Sequence, residues 1–226
     1  SYLGLETQPH TMGYDFSEMN TDDFIALCRE IGAEPFITIN PCWNTPDENA
    51  AWVEYCNGDV STPYGKLRAS RGHQEPYNVQ FWSLGNEFGY GHMEGDNTPA
   101  GYCQIALENG KKMLEASPGL SLCSSGPYPN KEWAEFSAKP LAGISQMISQ
   151  HYYGYDPHYT DLSTVEEEYN RCMASVSRMR ELIHQSRQWL GSLLYAFPWT
   201  SGMCGMPGTV LPVLPTVFMR RWFCTC

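Results

Sequence analysis

The sequence predicts an α/β fold built on a parallel sheet. Short apolar segments of strand length alternate with longer amphipathic segments of helix length, the pattern of βαβ units. Capping residues, glycines and prolines punctuate the segments where the alternation needs ends. With 226 residues, 42% hydrophobic and 17% charged, the chain can bury one sizeable core and lacks the composition of a disordered chain. A barrel and a doubly wound sheet both fit this alternation.

Asn20 or Thr21 can cap a first helix, with Asp22 and Asp23 in its first turn. Phe24, Leu27, Cys28 and Ile31 mark one apolar face of it, and Gly32 ends it. The stretch 35–40 (Pro-Phe-Ile-Thr-Ile-Asn) reads as a strand, and Asn49 to Tyr55 as a helix closed by Asn57-Gly58. Ser61 to Pro76 is polar and contains glycine, so a surface excursion is expected. A second strand covers Val79 to Leu84 and runs into Gly85-Asn86-Glu87. Thr98-Pro99 opens a long helix through Ala116, Leu120 to Ser124 forms a third strand, and Ile144 to Tyr153 contains a fourth. Ser163 to about Arg187 is a long helix with Val165, Tyr169, Cys172, Val176, Met179 and Ile183 spaced for one face. From Gly191 to Cys226 the character changes: four prolines, no acidic residue, and no continuing helix or strand pattern.

The net charge of -11 and pI of about 4.9 argue against nucleic acid as a partner, since phosphate neutralisation needs a basic face. No phosphate-binding glycine loop follows any strand, which weighs against nucleotide folds. No apolar run reaches membrane length. The 9 cysteines show no CxxC pair, no disulfide framework and no zinc spacing, so no metal is expected. The 13% aromatic content suits carbohydrate binding, although aromatics are more often core.

Glu87 follows a six-residue strand directly. In a (β/α)8 barrel, chemistry gathers at the C-terminal ends of strands. A carboxylate at such an end can have its pKa raised by desolvation, as a general acid needs. Asn86 beside it offers an amide for a sugar hydroxyl. Read on spacing alone, Gly-Asn-Glu is equally a strand-to-loop turn.

The stretch 78–87 (Asn-Val-Gln-Phe-Trp-Ser-Leu-Gly-Asn-Glu) resembles the acid/base strand of clan A glycosidases, and more narrowly that of the glycoside hydrolase family 51 α-L-arabinofuranosidases. Residues 22–40, the stretch 50–58 (Ala-Ala-Trp-Val-Glu-Tyr-Cys-Asn-Gly) and the approach 75–79 (Glu-Pro-Tyr-Asn-Val) are similar to the same family in order and spacing. The resemblance covers roughly residues 15 to 185. It implies a partial (β/α)8 barrel holding roughly strands 3 to 6 with their helices. Residues 1–190 would form that partial catalytic domain and 191–226 a non-homologous tail. It further implies that Glu87 is the acid/base, that Asn86 binds the hydroxyl next to the anomeric carbon, and that His151 and Tyr153 line the sugar subsite. Without the resemblance His151 reads as a hydrogen-bonded core histidine. Asn40, at the end of the third barrel strand, points toward the same face, or caps a loop there. The implied substrate is an arabinose-containing oligo- or polysaccharide, split with retention and without cofactor or metal. A xylosidase, an endoglucanase or a non-catalytic carbohydrate-binding fragment are the alternatives. The sequence leaves the compartment and the oligomeric state open.

Retention needs a second carboxylate about 5 Å from the first. The family's nucleophile lies at the end of the seventh strand in a motif close to Asp-Glu-Trp-Asn-Val-Trp, which this chain does not contain. Glu181 is its last acidic residue and falls inside the long helix; Glu94, Asp96 and Asp156 fall in loops. Read from the third base of the Pro198 codon, the codons for Trp199 to Gly205 permit Asp-Glu-Trp-Asn-Val-Trp, with the Asp and Val compulsory. A reading frame lost near residue 190 is therefore expected, together with absence of activity in the chain as translated.

Overall fold

The computed structural model describes residues 5–7, 14–16, 19–89, 96–127, 129–152, 165–190, 199–201 and 223–225. A short antiparallel pair, β1 (Leu5–Thr7) and β2 (Tyr14–Phe16), precedes the alternating region. There α1 (Thr21–Glu30), β3 (Glu34–Thr38), α2 (Pro46–Asn57), α3 (Pro63–Ser70), β4 (Phe81–Ser83) and α4 (Pro99–Ala116) follow one another. β5 (Ser121–Ser124), α5 (Lys131–Leu141), β6 (Ser145–Ile148), β7 (Gln150–His151) and α6 (Val165–Leu190) continue the pattern, and β8 (Trp199–Ser201) and β9 (Phe223–Thr225) end it.

The helices start where their caps require. Asn20 accepts from the amides of Asp22 and Asp23 while Asp23 reaches back to the Asn20 amide, a reciprocal capping box. Thr45 and Glu48 form a second box on α2, with Pro46 in the first turn. Thr62 and Thr98 cap α3 and α4 by accepting from the Gly65 and Gly101 amides, each followed by proline. Ile31 closes α1, and Gly32 turns left-handed at φ 71° to start β3.

The main sheet has the order β6-β5-β4-β3-β9, and every pair in it is parallel. Side chains alternate between its faces. Ile37, Ile39, Trp82, Leu84, Leu122 and Ile148 point to the helices and join the main core with residues such as Ile25, Val53, Tyr102 and Met113. Phe36, Phe81, Cys123 and Met147 form a separate small cluster on the other face, where a barrel interior lies. Fully burying side chains of this size contributes about 1.5–3 kcal/mol each. Polar ties fix the helices to one another. Asn49 of α2 donates to Asn109 of α4 at 2.8 Å with both residues buried, and Asp22 accepts from the hydroxyls of Tyr55 and Tyr77 at 2.7 and 2.8 Å.

Three features depart from the sequence reading. The expected excursion 61–76 contains the helix α3, because a capped two-turn helix needs no long apolar period. α5, capped by Asn130, lies between the third and fourth main strands. The stretch after 191, read as without strand pattern, supplies β8, parallel to β7, and β9, parallel to β3. Three-residue strands are too short to carry a period; β9 forms on the β3 edge of the main sheet, and β8 pairs with β7 in a separate two-stranded sheet.

Candidate active site

Glu87 stands just beyond β4, and its position is set by the backbone around it. Ser83 Oγ donates to the Gly85 carbonyl at 2.7 Å, and the Leu84 amide bonds the Cys123 carbonyl at 2.9 Å. Gly85, Glu87 and Gly89 then take left-handed conformations, with φ of 103°, 52° and 97°. A side chain at Gly85 would meet the Phe88 ring, and one at Gly89 would meet the Trp133 ring. Both glycines therefore let aromatic rings pack against the turn. Phe88 is fully buried, 4.9 Å from Tyr102 between ring centroids, and anchors the turn to α4. Between these anchors Glu87 projects, half-buried, and Asn86 is exposed.

His151 ends β7 and is buried. Its Nδ1 lies 2.8 Å from Glu87 Oε1, which joins two strand ends that are 64 residues apart in sequence. Burial pushes the His151 imidazole below its usual range, while the Glu87 carboxylate beside it pulls the other way. A neutral imidazole with its proton on Nδ1 donates to the carboxylate and holds it in one orientation.

Of the other sequence-derived site residues, Asn40 is exposed just past β3, and its carbonyl accepts from the Trp43 and Asn44 amides. The backbone of Asn40 thus does cap a loop. Tyr153 lies outside the described residues. The apolar segment 79–84 placed Glu87 at a strand end, but no sequence signal gave its direct bond to His151. The reading also missed Phe88, although the two flanking glycines are a visible sign of rings packed against the turn. Ser125 and Ser149, just past β5 and β6, bury hydroxyls with no hydrogen-bond partner among the described residues. Asp96 is used as a helix-end acceptor for the Thr98 amide, and Glu181 accepts from Gln185 on α6. Glu94 and Asp156 lie outside the described residues. Among the described residues no group of three His, Cys, Asp or Glu could hold a metal ion.

The model of the alpha-L-arabinofuranosidase 1 domain matches residues 5–171, well over half of the 226. The chain belongs to this family. Alpha-L-arabinofuranosidase C of Emericella nidulans is 34% identical over 128 residues, 57% of this chain and 25% of that protein. An intracellular exo-alpha-(1->5)-L-arabinofuranosidase of Halalkalibacterium halodurans is 30% identical over 144 residues, 61% of this chain and 29% of that protein. The chain thus spans between a quarter and a third of the length of these relatives. Among solved structures, the alpha-L-arabinofuranosidase of Thermotoga maritima superposes with a TM-score of 0.60 at 35% identity, over 78% of this chain and 36% of that one. The GH51 arabinofuranosidase of Xanthomonas axonopodis pv. citri reaches 0.77 at 17% identity, over 88% and 42%, a likeness of fold. The arabinofuranosidase fold is thus a partial (β/α)8 barrel in this chain.

Proposed function

We propose that this sequence derives from a retaining glycoside hydrolase that removes terminal α-L-arabinofuranosyl groups from arabinose-containing polysaccharides, and that the chain as translated is inactive. The observation that carries the reading is the Glu87–His151 bond at the C-terminal ends of parallel strands. In its protonated form Glu87 gives a proton to the departing glycosidic oxygen, then as carboxylate takes one from the attacking water. His151 holds that carboxyl in orientation, and Asn86 receives the hydroxyl next to the anomeric carbon. The relatives' names support arabinose as the sugar. Tyr153 belongs to the same subsite in this reading.

The inactivity rests on the missing nucleophile. β8 runs parallel to β7 with Ser201 in register with His151. The alternate-frame Glu codon straddles Thr200 and Ser201. A carboxylate translated from that frame would stand at the end of the strand beside the Glu87–His151 pair, where a retaining mechanism needs it. Residues 191–226 are in this account a tail read in the wrong frame. Incubation of the purified chain with a nitrophenyl α-L-arabinofuranoside is expected to release no nitrophenol; measurable release would overturn the inactivity. Restoring the frame in the gene is expected to give that activity and Glu87→Gln to remove it, and a restored gene acting on xylosides but not arabinofuranosides would overturn the substrate.

A further inference from the structure

We propose that Trp43 is a sugar-stacking platform at the mouth of the Glu87 site, receiving the ring of the sugar from which the arabinofuranosyl group departs. The identity of the sugar rests on the reading above; the place of the platform rests on geometry.

Trp43 is 65% exposed, so most of its indole faces water and adds little to the core. It sits in the loop between β3 and α2, on the face that carries Glu87. β3 and β4 are adjacent and in register, Thr38 beside Ser83, and the Ile39 amide bonds the Ser83 carbonyl at 3.0 Å. Their continuations stay in touch: Pro41 Cγ lies 3.5 Å from where a side chain at Gly85 would begin. Trp43 follows Pro41 by two residues, as Glu87 follows Gly85. The two residues therefore belong to neighbouring loops at the same end of the sheet.

The loop is held at both ends. The Asn40 carbonyl takes the Trp43 and Asn44 amides at 3.4 and 3.0 Å, the Asn44 side chain bonds Asn49 at 3.3 Å, and the Thr45–Glu48 box fixes the start of α2. An aromatic ring carried on a braced loop loses little freedom on binding. Its flat apolar face suits the C–H face of a sugar, as aromatic faces do wherever a ligand is apolar on one side and hydroxylated at its edge. The direction follows from the acid. His151 follows β6 and Trp43 follows β3, so the two come from opposite sides of β4 and Glu87 in the strand order. With the sugar to be removed held on the His151 side, as in the reading above, the leaving sugar extends on the Trp43 side.

Calorimetric titration of the purified chain with α-1,5-linked arabinotriose and with L-arabinose tests this. Trp43→Leu is expected to weaken the triose by about tenfold, the equivalent of ~1.4 kcal/mol, and to leave arabinose unchanged. Trp43→Phe, which keeps a ring, is expected to stay within about threefold of the parent. The exposure of Trp43 lets both variants fold, which matching melting curves would verify. Triose binding by Trp43→Leu as tight as that of the parent would overturn the platform and leave the arabinose reading intact. Trp43-dependent binding of xylotriose, with neither arabinose ligand bound, would support the platform and overturn arabinose as the sugar. No binding of any of the three sugars would overturn the platform.

Discussion

The candidate site turns on one contact, the 2.8 Å bond between Glu87 and His151. The strand-end position of Glu87 was legible in the sequence, but its choice as a candidate, with Asn86, came from the resemblance of residues 78–87 to an acid/base strand, since Gly-Asn-Glu alone reads equally as a turn. The bond was not legible, because it joins residues brought together only by the closing curvature of the sheet. It carries a pH signature. Burial holds the folded His151 below its usual pKa, so the unfolded chain binds a proton that the folded chain resists. Stability from this group is complete above the unfolded value of about 6.5 and declines as pH falls from there toward the lower folded value. His151→Gln removes the effect. Between pH 7.5 and pH 5 the parent is expected to lose more melting temperature than the variant, and equal losses would show that His151 is not held neutral by the fold.

At the scale of elements, the alternation of apolar strands and amphipathic helices gave α1, β3, α2, β4, α4, β5 and α6 close to their observed bounds. α3 stayed hidden because its structural role is polar. Its Arg68 is fully buried, and the guanidinium fans out to the carbonyls of Tyr55, Gly58, His73 and Gln74 at 2.8 to 3.2 Å. It stitches the end of α2 to the approach to β4. An arginine in a polar stretch reads as a solvated residue from sequence, since nothing local announces four distant carbonyls. Arg68→Ala leaves those acceptors buried without a donor and is expected to cost about 3 kcal/mol or more in urea unfolding. Arg68→Lys is expected to recover only part, because a point charge cannot span the fan. A loss under about 1 kcal/mol for the alanine variant would mean that water replaces the guanidinium.

Across the whole molecule, the partial barrel leaves part of its helical layer uncovered. The sequence spaced one apolar face along α6, and the C-terminal half of that helix does bury Leu182, Ile183 and Leu190. In its N-terminal half, among the described side chains, Tyr169, Met173 and Val176 are 62%, 58% and 40% exposed, about one helical turn apart. Periodicity announces a face but not the presence of something to cover it. An exposed apolar stripe drives self-association. The double variant Tyr169→Glu, Val176→Lys is expected to stay monomeric at concentrations where the parent scatters light, with its stability within about 0.5 kcal/mol of the parent. Unchanged scattering would assign the association to another surface.

The left-handed backbone of Glu87 has a consequence for how sequences of this kind drift. A residue other than glycine, asparagine or aspartate in that conformation carries a strain of roughly 1–2 kcal/mol. For thermal stability alone, the favoured replacements at position 87 are therefore glycine, asparagine and aspartate, none of which keeps a carboxyl group at glutamate's reach. If the product no longer turns over substrate, as proposed above, nothing opposes that preference. The persistence or loss of glutamate at this one codon among close relatives would then record how recently the chemistry was under selection.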